Sequence, residues 1–158
     1  MKFFPVRNLT PKNMKSPVTI LSIGQIEEYI FLKKEEVNHR DETCEIIGLR
    51  DGETAISYLD NAAACGNTKK PHLIVIDFHL QGITGMELLQ HIKKSFKLKS
   101  IPVIMVSPTL SKEDVLNCYL NRANCVLTCS LNFKNNSILF RAIKDFWINI
   151  VQLPTFKD

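Results

Sequence analysis

The sequence predicts an α/β protein: a doubly wound, parallel sheet of five strands with five helices on its two faces. Three observations carry this. Five short apolar runs rich in β-branched residues alternate with segments of helical periodicity. The runs are continuously apolar, as strands buried on both faces are, not alternating as in half-solvated sheets. Strand–helix alternation gives parallel pairing through right-handed crossovers, and 158 residues suffice for one such domain with a real core.

"VTILSI" (18–23) is the first strand, and Ile26, Tyr29, Ile30 and Val37 follow at helical spacing. "CEIIGL" (44–49) is the second strand, and residues 51–65 are a helix with Ile56, Leu59 and Ala63 on one side. "HLIVID" (72–77) is the third. The helix at 84–96 opens on Thr84 with Glu87 three residues on, a capping box, and buries Leu88, Leu89, Ile92 and Phe96. "IPVIMVS" (101–107) is the fourth strand. Ser111 and Asp114 cap a helix over 111–123, "CVLTC" (125–129) is the fifth strand, and a long helix runs from about 133 to 151. The strand order expected is the flavodoxin-like 2-1-3-4-5. Residues 1–16 read as a basic arm, 17–151 as the domain and 152–158 as a tail.

Composition narrows the function. Residues 1–68 hold 8 basic and 10 acidic groups, residues 69–158 hold 12 and 6, so the net +4 sits in the second part. No aromatic residue is taken to interleave the lysines, which argues against nucleic acid. The five cysteines form no C-x-x-C pair and no zinc spacing, and read as reduced thiols of a cytoplasmic protein. There is no signal-peptide run and no membrane-length apolar stretch, so no membrane partner is expected. His39, His72, His79 and His91 have no metal-ligand spacing.

In a sheet of this order the site lies beyond the carboxyl ends of the strands, between the first and third. Asp77 ends the third strand there. A carboxylate at the end of an apolar run needs a reason, because burying an unpaired charge costs several kcal/mol. Ser107 ends the fourth strand beside it.

The pattern strand–Asp77–loop with Gly85, strand–Ser107, and a fifth strand ending "LTCS" resembles a response-regulator receiver domain over about residues 17–151. "FWINIVQLP" (146–154) resembles more specifically the single-domain receivers that partner bacterial phytochrome histidine kinases. The resemblance implies a phosphoryl-transfer site of five parts. Asp77 matches the phosphoacceptor and Ser107 the hydroxyl that contacts a phosphoryl oxygen. The acidic pair that holds Mg²⁺ falls on Gly24 and Gln25, the lysine on Cys129 and the switch aromatic on Val126. Glu27 and Glu28 lie in the first turn of the following helix and point away. Phosphoryl transfer depends on positioning and on positive charge at the equatorial oxygens. The expectation is therefore a degenerate receiver, not an enzyme, with no catalytic residue, no cofactor, and at most weak Mg²⁺ at Asp77. A live phosphoacceptor at Asp77 is the alternative. A flavodoxin-fold flavin binder comes third, because "IGQIEEY" lacks a Ser/Thr/Gly-rich phosphate loop.

On a 100°-per-residue wheel, Leu139, Ala142, Ile143, Phe146 and Ile150 form the sheet-facing side of the last helix. Phe140, Trp147 and Val151, continued by Leu153 and Pro154, form a second stripe, read as a partner surface. The resemblance implies a homodimer through the 111–123 helix, the fifth strand and this last helix, and a histidine kinase or other signalling protein as a further partner.

Overall fold

The computed structural model describes residues 17–25, 44–64, 67–129 and 136–156. The 1–16 arm, the helix expected over Ile26–Val37, and Glu27 and Glu28 lie outside the described residues. The strands are β1 (Val18–Ile23), β2 (Cys44–Leu49), β3 (Leu73–Asp77), β4 (Val103–Ser107) and β5 (Cys125–Thr128). The helices are α1 (Gly52–Ala63), α2 (Gly85–Lys94), α3 (Lys112–Leu120) and α4 (Asn136–Ile143), the last running into a π turn at Lys144–Ile148. The sheet is wholly parallel in the order β2-β1-β3-β4-β5. The expected fourth strand loses its first two residues because Pro102 has no N–H to donate. The helix expected over 111–123 stops short at Leu120: Arg122 adopts a left-handed φ of 68° and turns the chain toward β5.

Alternate strand residues feed two cores. Leu21, Ile23, Ile74, Ile76, Val103 and Met105 pack with Ala55 and Leu59 of α1, Leu88, Leu89 and Ile92 of α2 and Cys118 of α3. Val18, Ile20, Leu73, Val75, Ile104 and Val106 pack on the other face with Ile143 and Trp147. Both expected capping boxes form. Thr84 and Glu87 close the start of α2, and Ser111 and Asp114 that of α3.

Two expectations about faces are corrected. Phe96 is not in the stripe of α2. The helix ends at Lys94, Ser95 is extended (φ −70°, ψ 122°), and Phe96 is left 83% exposed while Leu98 fills the core. Trp147 is not on an outer stripe either. It is 9% exposed, buried with Ile143 against the sheet, while Phe146 and Ile150, expected inside, are 51% and 60% exposed. The π turn explains the swap. Asn149 and Val151 N–H donate to Lys144 and Phe146 carbonyls, five residues back, so the inward positions become Ile143, Trp147 and Val151. Phe140, Val151 and Leu153 also pack, partly buried, against this core. Pro154 is partly buried.

The chain after α4 crosses the end of the sheet where the strands begin. Leu153 belongs to one core and Phe156 to the other. The Phe156 ring lies 6.0 Å from His72, with Lys70 Nζ 4.0 Å from its centroid.

Candidate functional site

The carboxyl ends of β1, β3, β4 and β5 form the rim of the site. Asp77, half-buried, is the last residue of β3 and lies in register with Val106. Its Oδ1 accepts the His79 N–H at 2.9 Å, which turns the chain out of the strand. Gly85, which starts α2, must be glycine: a Cβ there would lie 2.4 Å from the Asp77 carbonyl oxygen and 2.9 Å from Phe78 Cα.

Gly24 closes β1 against Asp77. Its N–H donates to Leu49 O at 2.8 Å and its φ is +106°. A Cβ on it would stand 2.5 Å from Asp77 Cβ and 2.9 Å from Leu80 Cδ2. The backbone here therefore excludes any side chain, a carboxylate included. Gln25 follows and is exposed.

Ser107 is 1% exposed. Its hydroxyl donates to Thr109 O at 2.8 Å and accepts the Thr109 N–H at 3.2 Å, so its hydrogen bonds close on the next turn. His79 Nε2 lies 3.3 Å from the same Thr109 carbonyl, joining the loop after β3 to the loop after β4. Cys129 follows β5 and donates its N–H to Ser107 O at 3.0 Å. Burial pushes its thiol up; its own backbone N–H opposes that rise, and the charge of Asp77 adds to it. Cys129 is thus a neutral thiol where a cation would serve a phosphoryl group. Val126 is half-buried, and its N–H donates to the Tyr119 phenol oxygen at 3.3 Å.

The rim brings together Asp77, Ser107, Gly24 and Cys129. Phe140, Trp147, Val151 and Leu153 sit in the core that packs α4 on the sheet. Thr109 and Tyr119 were not singled out in the sequence, and His79 was weighed there only as a metal ligand. Their partners lie across loops or on the next element, and only the Asx-turn at Asp77 has a local signal.

A divalent cation needs several oxygen ligands, carboxylates foremost. Among the described residues no three His, Cys, Asp or Glu side chains converge to hold a metal. Asp77 faces a glycine with no room for a side chain, so this half of the rim does not fit the ion.

A family profile described as response regulator receiver domain matches residues 32–135. Response regulator Rcp1 of Synechocystis sp. is 35% identical over 123 residues, which is 78% of this chain and 80% of that protein. The phosphorylated cyanobacterial phytochrome response regulator RcpA superposes with a TM-score of 0.79 at 28% identity, over 89% of this chain and all of that one. The Mn²⁺-bound form of Rcp1 gives a TM-score of 0.73 at 30% identity, over 88% of this chain and all of that one. The sheet order, the acid that ends β3 and these matches agree: the chain belongs to the response regulator receiver family.

Proposed function

We infer that this receiver passes a signal by protein–protein contact and that its phosphoryl switch is impaired. The observation that carries the reading is Gly24, whose backbone leaves no space for a metal-holding carboxylate beside Asp77. Cys129 supports it, because a buried neutral thiol puts no positive charge on a phosphoryl oxygen. Removing one preorganised oxyanion donor costs about 2.7–4 kcal/mol in other enzymes, and here both the metal and the lysine are affected. A titration with Mg²⁺ and beryllofluoride, followed by NMR, tests this. Weak, non-saturating shifts at millimolar Mg²⁺ are expected. Saturable binding that is lost in Asp77→Asn would overturn the reading.

A second reading, a live phosphoacceptor, is favoured by Asp77 and Ser107, which hold the strand-end positions the chemistry uses. Incubation with acetyl phosphate, read by intact mass, distinguishes the two. RcpA is a cyanobacterial phytochrome response regulator by name, and a sensor histidine kinase of that kind is the upstream partner we assign to this chain.

A second copy is the other partner. α3 and α4 flank β5, one of the two edge strands of the sheet. Leu116, Tyr119 and Leu120 on α3, and Phe146 and Ile150 near the end of α4, are the large apolar side chains exposed on these elements. Sedimentation of wild type against Phe146→Ser/Ile150→Ser is the test. A dimer at micromolar concentration that the variant loses supports the contact; a monomeric wild type refutes it.

A further inference from the structure

The pole of the sheet opposite Asp77 carries a surface that the phosphoryl site does not use. Phe96 stands there 83% exposed, in a tight turn. Leu98 and Lys99 N–H donate to Ser95 O, and Ile101 N–H donates to Leu98 O. Lys94, Lys97 and Lys99, within three residues of Phe96 in sequence, are exposed, and Lys99 Nζ lies 4.6 Å from its ring centroid. Lys70 Nζ donates to Lys97 O at 2.7 Å and so reaches the same place. The neighbouring Lys69 is already offset by Glu45, and His91 Nε2 lies 2.9 Å from the Asp60 carboxylate. Lys94, Lys97 and Lys99 form no ion pair with a described residue, and no Asp or Glu occurs between Leu88 and Lys112.

We propose that this pole docks on an anionic lipid surface, with Phe96 entering the boundary between headgroups and acyl chains and Lys94, Lys97 and Lys99 lying over acidic headgroups. An exposed apolar ring in a segment of exposed lysines is attracted by such a surface and has a place to bury its ring there. A nucleobase or a peptide would need a second wall to close on. The Phe156 ring, which Lys70 also reaches, is already occupied by Lys70 and His72. The docked pole lies at the strand beginnings, so the rim at Asp77 stays open to protein partners.

Co-sedimentation of the full chain with vesicles tests this, using equal parts phosphatidylserine and phosphatidylcholine, with pure phosphatidylcholine as the neutral comparison. Binding to the acidic vesicles only, weakening as salt is raised, is expected. Lys97→Gln/Lys99→Gln lowers the partition coefficient roughly 25-fold, at about fivefold per lysine. Phe96→Ser lowers it about tenfold. Lys112→Glu matches the double variant in charge change but sits at the other pole, and it changes binding less than twofold. Melting curves confirm that all variants fold. If Phe96→Ser and the lysine pair bind as wild type does, the basic arm at 1–16 or another surface is responsible and the proposal is overturned. It is equally overturned if polyglutamate or a single-stranded oligonucleotide displaces the protein from vesicles at concentrations matching the acidic lipid.

Discussion

Replacing Gly24 with alanine puts the description of the rim to a direct test. Two penalties add. A side chain at φ +106° is strained by about 1–3 kcal/mol. The new Cβ would also lie 2.5 Å from Asp77 Cβ, an atom fixed to the end of a central strand that cannot swing aside, and such overpacking costs about 1–3 kcal/mol. The sum is about 2–6 kcal/mol. With a urea slope of about 2 kcal/mol/M, the unfolding midpoint falls by roughly 1–3 M. Gly82→Ala is the internal comparison. Its φ is also positive, at +74°, but its Cβ would meet the Glu53 carboxylate, the end of a flexible side chain. That variant should lose only about 1–2 kcal/mol, from backbone strain alone. Equilibrium urea unfolding by far-UV circular dichroism reads both. Equal losses in the two variants, or a Gly24→Ala midpoint within 0.5 M of wild type, would refute the claim that the backbone at Asp77 admits no side chain.

Trp147→Ala should lower the melting temperature by roughly 6–20 °C, since a buried tryptophan contributes about 3–5 kcal/mol, whereas Phe146→Ala should barely change it. His72 is held below its ordinary range by burial and by the Lys69 charge, and its Nδ1 must stay unprotonated to accept the Thr19 N–H at 3.0 Å. The unfolded chain therefore binds this proton more readily, stability falls as pH drops below about 6.5, and pH-dependent urea titrations of His72→Asn should show a shallower fall. Lys93 is buried, donates to Ile101 O at 2.7 Å and Asn124 Oδ1 at 3.0 Å, and is pushed down to about 8 by burial. Its contribution therefore grows between about pH 8 and 10.5, by at most ~3 kcal/mol. The stability of wild type minus that of Lys93→Met should rise across that window.

Where local chemistry decides, the sequence could be read residue by residue. β1 and β2 begin and end where the apolar runs do, and the caps at Thr84 and Ser111 follow from side chains three residues apart. The strand order followed from alternation, and with it the place of Asp77. Phe96 was misplaced because a helical wheel assumes the helix continues, and Ser95 breaks it. Trp147 was misplaced because one wide turn moves the inward positions to every fourth residue, which no periodicity announces in advance. The steric meaning of Gly24 was hidden for another reason. Glycine at an acidic position reads as a missing group, while the 2.5 Å approach to Asp77 arises only when β1 and β3 pair. Lys93 and the His79–Thr109 contact were silent because their partners are brought by other loops.

The caps on the helices have an electrical consequence for the whole domain. Three helices that start at the Asp77 end are each closed by their own acid: Asp51 caps α1, Glu87 sits in the box of α2 and Asp114 in that of α3. With Glu53, Asp77 and Glu113, the end of the domain where strands hand over to helices holds six carboxylates against two cations, Arg50 and Lys112. The opposite end holds Lys69, Lys70, Lys93, Lys94, Lys97, Lys99 and Arg122 against Glu45 and Asp60. The described residues thus make a permanent dipole aligned with the strands, negative at the site. Such a molecule feels a torque as well as a pull in an external field. Near a negatively charged surface it turns its lysine end inward before contact, and a partner bound for the Asp77 end is steered in from the solvent side if its own docking face is positive.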